Sequence, residues 1–232
     1  MQPAFDLASV DVDGAITEAQ EHVAGATRAA FFRKAAIGGG TLLTSGAIMG
    51  MLPELAAAKP SKKQDLAILN YALTLEYLEA AFYKEAVDHS STFSADAKAF
   101  AAIVSDHEST HVVALKKTIK SLGGKAVSRP QFDFKGTPDK EDTFLATSFV
   151  LENTGVHAYL GQAGRLKSKA LLGAAASIVT VEARHASAVA VLLGDKPFRV
   201  GKHSITPNGA FDTALSEKTI LKAVGRTGFI KG

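Results

Sequence analysis

The chain has 232 residues, 47% of them hydrophobic and 21% charged, with a formal net charge of +3 at pH 7. This length and balance suit one substantial buried core and exclude a collagen-like or broadly disordered composition. The absence of cysteine excludes disulfides, thiolate nucleophiles, iron–sulfur clusters and Cys-ligated zinc, which leaves oxygen and nitrogen ligands for any metal.

Residues 1–27 are polar and acidic, with Asp6, Asp11, Asp13, Glu18 and Glu21 and no strong period, and read as an unstructured leader. Arg28, Arg33 and Lys34 then precede the weakly apolar, glycine-rich run 35–52, which is followed by Ala56, Ala57 and Ala58. A charged segment, an apolar segment and a small-residue cleavage site are the three parts of an export signal. The motif resembles a twin-arginine signal in degenerate form, because Ala29 stands where the second arginine is usual. The expectation is that 1–58 is a leader and export signal that is cleaved, placing the protein in the periplasm, the cell envelope or outside the cell. If 35–52 is retained instead, its length of about eighteen residues approaches what a bilayer requires, and it anchors the chain to a membrane. Cleavage removes three basic and six acidic residues, leaving 23 against 17 and a formal charge of +6. That mild, unclustered basicity gives no case for a nucleic-acid partner.

Apolar residues recur with helical period from residue 63 to about 89, and the stripe 69, 73, 76, 80, 83, 87 reads Leu, Leu, Glu, Ala, Tyr, Val. Glu76 therefore lies in the middle of a core face. Ser94, Asp96 and Ala97 open a second helix that ends at Gly123 and Gly124, with the stripe 101, 104, 108, 111, 115, 119, 122 reading Ala, Val, Glu, His, Leu, Ile, Leu. Residues 125–139 contain Pro130, Gly136, Pro138 and an extended Gln-Phe-Asp-Phe, show no helical period, and are long enough to cross the length of a bundle. A third helix over about 141–164 puts Glu152 on its stripe, seven residues before Tyr159. The fourth, over about 169–193, carries Glu182 and His185 on the stripe 171, 175, 178, 182, 185, 189, 192 and stops at Gly194, with Pro197 beyond. The tail, 195–232, has one short helix at 216–224.

Residues three apart share a helix face, so Glu108 with His111, and Glu182 with His185, point the same way into the core. An ionised carboxylate there is expensive unless a charge compensates it. Helices one and three each carry a single glutamate with a tyrosine seven residues on (Glu76 and Tyr83, Glu152 and Tyr159), and helices two and four each carry Glu-x-x-His. Four carboxylates and two imidazoles in this order match the di-metal ligand set of ferritin-like bundles. Two divalent cations would neutralise the four carboxylates, and without them some carboxylates would hold protons. Oxygen and imidazole ligands suit iron first and manganese second. Tyr83 and Tyr159 are either core tyrosines or hydrogen-bond donors to ligand carboxylates. Glu79, three residues after Glu76, faces solvent or stands behind the ligands. His107, next to Glu108, points elsewhere, and His157 lies well around the helix from Glu152.

The segment 65–193 resembles the ferritin-like superfamily. Glu76-Tyr-Leu-Glu-Ala-Ala-Phe-Tyr83, Glu152-Asn-Thr-Gly-Val-His-Ala-Tyr159 and Val181-Glu-Ala-Arg-His-Ala186 look most like its exported, desiccation-related branch. The resemblance implies an all-α fold: a ferritin-like four-helix bundle over 63–194, up-down-down-up, with a long crossover between helices two and three. It also implies that Glu76 and Glu152 are terminal ligands, that Glu108 and Glu182 bridge two metals, and that His111 and His185 bind one each. The activities that follow are oxidation of ferrous iron or reduction of oxygen or peroxide. The alternatives are a dimanganese catalase, or a non-catalytic, metal-stabilised envelope or desiccation-stress protein. The partners expected are metal ions and small oxidants, and association of identical chains is compatible with all three.

Overall fold

A computed structural model describes residues 61–195 and 211–231 of the chain. The expected leader, export signal and membrane-anchor segment, together with Pro197, Phe198 and His203, lie outside the described residues. What is described is mostly helical: α1 (Lys62–His89), α2 (Ala95–Ser121), α3 (Glu141–Ala163), α4 (Lys169–Leu192) and α5 (Glu217–Thr227). Two short strands, β1 (Gln131–Phe132) and β2 (Ile230–Lys231), complete it.

Local chemistry sets the helix boundaries. Ser61, Ser94, Ser168 and Ser216 each stand just before a helix and accept a hydrogen bond on Oγ from the amide three residues on, satisfying donors the helix itself cannot pair. Beyond α2 and α4 the chain turns through Gly123 (φ 72°) and Gly194 (φ 89°), a left-handed conformation that glycine adopts without a steric penalty.

Packing pairs α1 with α2 and α3 with α4, with further contacts from α1 to α3 and from α2 to α4. α1 is the most enclosed of these helices, with its 71–83 portion buried on nearly every side. Asp65 ties its start to the α3–α4 turn by accepting from the amides of Lys167 (2.8 Å) and Ser168 (3.2 Å), which accounts for a carboxylate only 4% exposed. Phe82, Phe93, Phe100 and Phe144 fill the part of the core toward the end of α1 and the start of α2. Leu69, Leu73, Ile119 and Leu171 fill the other part.

The crossover between α2 and α3 is not a free loop. Asn70 on α1 accepts from the amide of Val127 (2.8 Å) and donates to the carbonyl of Lys125 (3.2 Å). Farther along, β1 pairs antiparallel with β2, Gln131 opposite Lys231 and Phe132 opposite Ile230. Phe134 is buried beneath this junction, its ring edge-on to Phe82 (5.3 Å between centroids) and Phe229 (5.4 Å). The C-terminal segment is thereby a strap. Its amide at Leu215 donates to the His157 carbonyl (3.1 Å), α5 packs on α3, and Ile220, Val224 and Phe229 join the main core. The strand pair was not anticipated from sequence, where the tail carried only a short helix.

Candidate metal centre

Each of the four long helices delivers its glutamate to the middle of the core. Glu76, Glu108, Glu152 and Glu182 are at most 1% exposed, and His111 and His185 are 9% and 5% exposed. The six side chains come together as two overlapping groups: Glu76, Glu108, His111 and Glu182 in one, and Glu108, Glu152, Glu182 and His185 in the other. Within each group, one ligand atom per residue lies within 4.8 Å of all the others. Glu108 and Glu182 belong to both.

Nδ1 is the imidazole atom that faces the carboxylates in both halves. His111 Nδ1 lies 3.2 Å from oxygens of Glu76, Glu108 and Glu182. His185 Nδ1 lies 3.1 Å from Glu152 and 3.3 Å from Glu108. The tyrosines cross between the halves: Tyr83 of α1 donates its hydroxyl to Glu152 Oε1, and Tyr159 of α3 donates to Glu76 Oε1. α1 and α3, which bring Glu76 and Glu152 to the cluster, therefore each also supply the hydroxyl that orients the other's glutamate. Of the two readings left open for these tyrosines, the hydrogen-bonding one describes the geometry.

Of two further residues near the cluster, His107 stands differently from the sequence expectation, and Glu79 takes the second of its two readings, behind the ligands. His107 does not point away: its Nδ1 lies 2.9 Å from His185 Nε2, with the two rings stacked at 19°. The step of about 100° per residue that turns it off the Glu108 stripe turns it toward α4. Glu79 is 3% exposed and belongs to a second buried line of α1, with Ile68, Leu75, Phe82 and Ala86. The signal was present in the sequence, since every other member of that line is apolar. Gly155 makes room for it. A Cβ at that position would lie 3.1 Å from Glu182 Oε2 and 3.3 Å from Glu79 Oε1, tighter than ordinary van der Waals contact. His157 is half-buried, and burial lowers its pKa.

The electrostatics follow from crowding acids away from water. Burial first, then neighbouring carboxylates, push Glu79 and Glu182 well above the ordinary range, and burial also raises Glu152. Glu76 is pushed up to about 8, chiefly by burial, against the pull of His111. Glu108 goes the other way: burial pushes it up, but hydrogen bonds from His111, His185 and Glu76 together bring it down to about 2. Burial would lower both imidazoles, yet their carboxylate partners hold His111 up at about 12 and His185 at about 9. In the metal-free state the cluster is thus a store of protons that stand in for cations.

Those protons do not satisfy everything. Glu182 Oε2 is buried with no partner, and Glu108 Oε1 and Glu182 Oε1 have only an imidazole Nδ1 at 3.3 Å and 3.2 Å, outside hydrogen-bond geometry. Buried acceptors are normally paired, and these three belong to the two glutamates common to both groups. An oxygen and imidazole donor set with poorly satisfied acceptors at its shared members fits hard or borderline divalent cations. Another grouping, Glu85, His89 and Asp139, lies toward the surface, with Glu85 partly buried and His89 and Asp139 exposed, where such acidic sets are ordinary.

Comparison with known proteins agrees with this architecture. A family model described as a ferritin-like domain matches residues 64–195, more than half of the chain. No curated protein matches it.

Proposed function

The chain belongs to the ferritin-like domain family, and on that premise we propose that it is an exported protein holding a di-metal centre, iron first and manganese second, for redox chemistry with ferrous iron, oxygen or peroxide. The observation that carries this reading is the overlap of the two ligand groups at Glu108 and Glu182, three of whose buried oxygens no protein donor meets in hydrogen-bond geometry. In this reading Glu76 and His111 would hold one ion and Glu152 and His185 the other, with Glu108 and Glu182 available to both. The ions supply the capacity to exchange electrons with a small oxidant. The protein supplies the rest: Tyr83 and Tyr159 fix the terminal glutamates, His107 braces His185, and burial of all six ligands keeps bulk water out.

The family assignment also supports an up-down-down-up arrangement of α1 to α4 over 63–194, with the 125–139 crossover joining its halves and 195–232 as an appended tail. Export is assigned to 1–58, whose charged, apolar and small-residue segments follow the order of a cleaved signal. Sequencing the N-terminus of protein recovered from outside the cytoplasm tests it, and a mature chain still beginning at Met1 overturns it.

Metal analysis of protein purified from its native host tests the centre. The expected result is two ions per chain, both lost or reduced to one in Glu108→Ala and His185→Ala. Absence of bound metal from wild-type protein, even after anaerobic loading with iron or manganese, overturns the reading. Rapid absorbance change on adding ferrous iron and air identifies an iron oxidase. Oxygen release from peroxide by the manganese-loaded protein identifies a catalase instead.

A further inference from the structure

Basic residues are spread through the sequence, but folding gathers them at one end of the bundle, where the start of α1, the end of α2 and the α3–α4 turn meet. Asp65 accepts from the amides of Lys167 and Ser168 there, Asn70 donates to the carbonyl of Lys125, and a Cβ on Gly124 would lie 2.5 Å from Leu66 Cδ2. The three segments bring Lys62 and Lys63, then Lys117, Lys120 and Lys125, then Lys167 and Lys169 to this end, every one of them exposed. Asp65 is the only acid in 61–70, 113–127 and 164–175, and it is buried. Among the described residues, none of these lysines has a carboxylate partner. Arg165, beside them, is taken up by Glu217 (3.6 Å) and Gln162 Oε1.

The opposite end has the other sign. His89 with Asp139, and Ser94 with Glu141, tie the end of α1 and the start of α2 to the start of α3, and Asp88, Asp96, Asp139 and Asp142 are exposed there. Helix dipoles do not account for the lysines. Lys117 and Lys120 stand near the C-terminus of α2, where the dipole favours cations, but Lys62, Lys63 and Lys169 occupy the first turns of α1 and α4, where it favours anions. Unpaired cations crowded onto two helix N-termini call for negative charge from outside the chain.

The residue types say what kind. The end of a four-helix bundle is about 20 Å across, and this one presents separate ammonium charges. It offers no free arginine fork for a single phosphate and, in 61–70, 113–127 and 164–175, no aromatic ring on which a base could stack. Such a patch matches negative charge spread over a broad surface. The chain also enters the described fold here, since Ser61 caps α1 and the apolar run 35–52 shortly precedes it in the sequence.

We propose that this lysine-covered end is a docking surface for an anionic phospholipid membrane, on which the bundle stands end-on with its acidic end outward. The contact is electrostatic, needs no metal, and is independent of the reading of the metal centre.

Sedimentation with lipid vesicles tests it on the protein as purified from its host. Binding is expected to vesicles of equal parts phosphatidylglycerol and phosphatidylcholine, weakening as salt rises, and not to phosphatidylcholine alone. Each lysine close to such a surface contributes about fivefold, so the triple variant Lys63→Gln, Lys120→Gln, Lys167→Gln should bind about 100-fold more weakly. The triple variant Lys84→Gln, Lys98→Gln, Lys140→Gln has the same net charge and should bind within about twofold of wild type. Circular dichroism reports whether both fold. Acetylation of the vesicle-bound wild-type protein needs no variant: Lys63, Lys120 and Lys167 should be spared, and Lys84, Lys98 and Lys140 marked. Equal binding to the two kinds of vesicle, equal losses in the two triple variants, uniform acetylation, or duplex DNA bound in place of the anionic vesicles overturns the proposal.

Discussion

Glu76 and its partners make the metal-free protein's stability depend on pH with a definite sign. A carboxyl raised from its usual 4.5 to about 8 carries no ionisation cost below pH 4.5 and an increasing one as pH rises toward 8. His185, raised from 6.5 to about 9, and His111, raised to about 12, stabilise the fold fully below pH 6.5 and lose that contribution as pH climbs through those values. Glu108 has the opposite sign: lowered to about 2, it contributes above pH 4.5 and is lost in stronger acid. Urea midpoints measured in chelator should therefore be highest near pH 5 and fall steadily toward pH 9; a flat profile would mean that the buried groups do not hold these protons. The tyrosines give a sharper test. Tyr83→Phe keeps a ring packed against Phe82, Phe100 and Phe144 but leaves Glu152 Oε1 without its donor. Loss of one buried partner costs about 1–3 kcal/mol, and loss of a ligand's supporting hydrogen bond lowers metal affinity about 10- to 100-fold. Metal titration of Tyr83→Phe and Tyr159→Phe reads this directly, and unchanged affinity would reduce both to packing residues.

At the scale of elements, Gly161 separates two arguments that give opposite answers. It lies inside α3, where alanine is favoured over glycine by about 1 kcal/mol, so propensity alone predicts that Gly161→Ala stabilises. A Cβ there, however, would sit 1.8 Å from the carbonyl oxygen of Leu215. The strap leading into α5 crosses α3 too closely to admit a methyl group. Gly161→Ala should therefore destabilise by about 1–3 kcal/mol and expose the segment around Leu215 to protease; a raised melting temperature with an intact strap would refute the steric account. This contact also marks where sequence reading stops. Helix positions were legible because serine caps, glycine stops and apolar stripes are local signals, and the same stripes placed Glu76, Glu108, His111, Glu152, Glu182 and His185 on inward faces. The β1–β2 pair was not legible: each strand is two residues long, and the partners are about a hundred residues apart. In the sequence Glu79 stands between two readings, solvent or behind the ligands, because a single stripe describes α1 there, whereas that helix is covered on two faces by its neighbours.

For the whole molecule, the consequence of a core built around acids is that stability and metal content should be one quantity rather than two. Four glutamates with at most 1% exposure, and Glu79 beside them, cannot all ionise together, so the metal-free fold survives by taking up protons. In the di-metal reading, cations would displace those protons, and binding to the folded state alone would stabilise it. At a free metal concentration a thousand times the dissociation constant the gain is about 4 kcal/mol, which moves the melting temperature of a domain this size by about 10 °C. Proton release fixes how that gain varies with pH. Near pH 5 a metal must expel protons that the cluster holds firmly; near pH 8 fewer remain, and the metal-free competitor is weaker. The difference in melting temperature between metal-loaded and chelated protein should therefore widen from pH 5.5 to 8, even as the chelated protein itself becomes less stable. Calorimetric titration in buffers of different ionisation enthalpy should register several protons released at pH 7, fewer at pH 8.5, and almost none in Glu108→Ala if it takes up no metal. A gap that stays constant with pH, or metal uptake without proton release, would mean that the cations bind away from the buried glutamates.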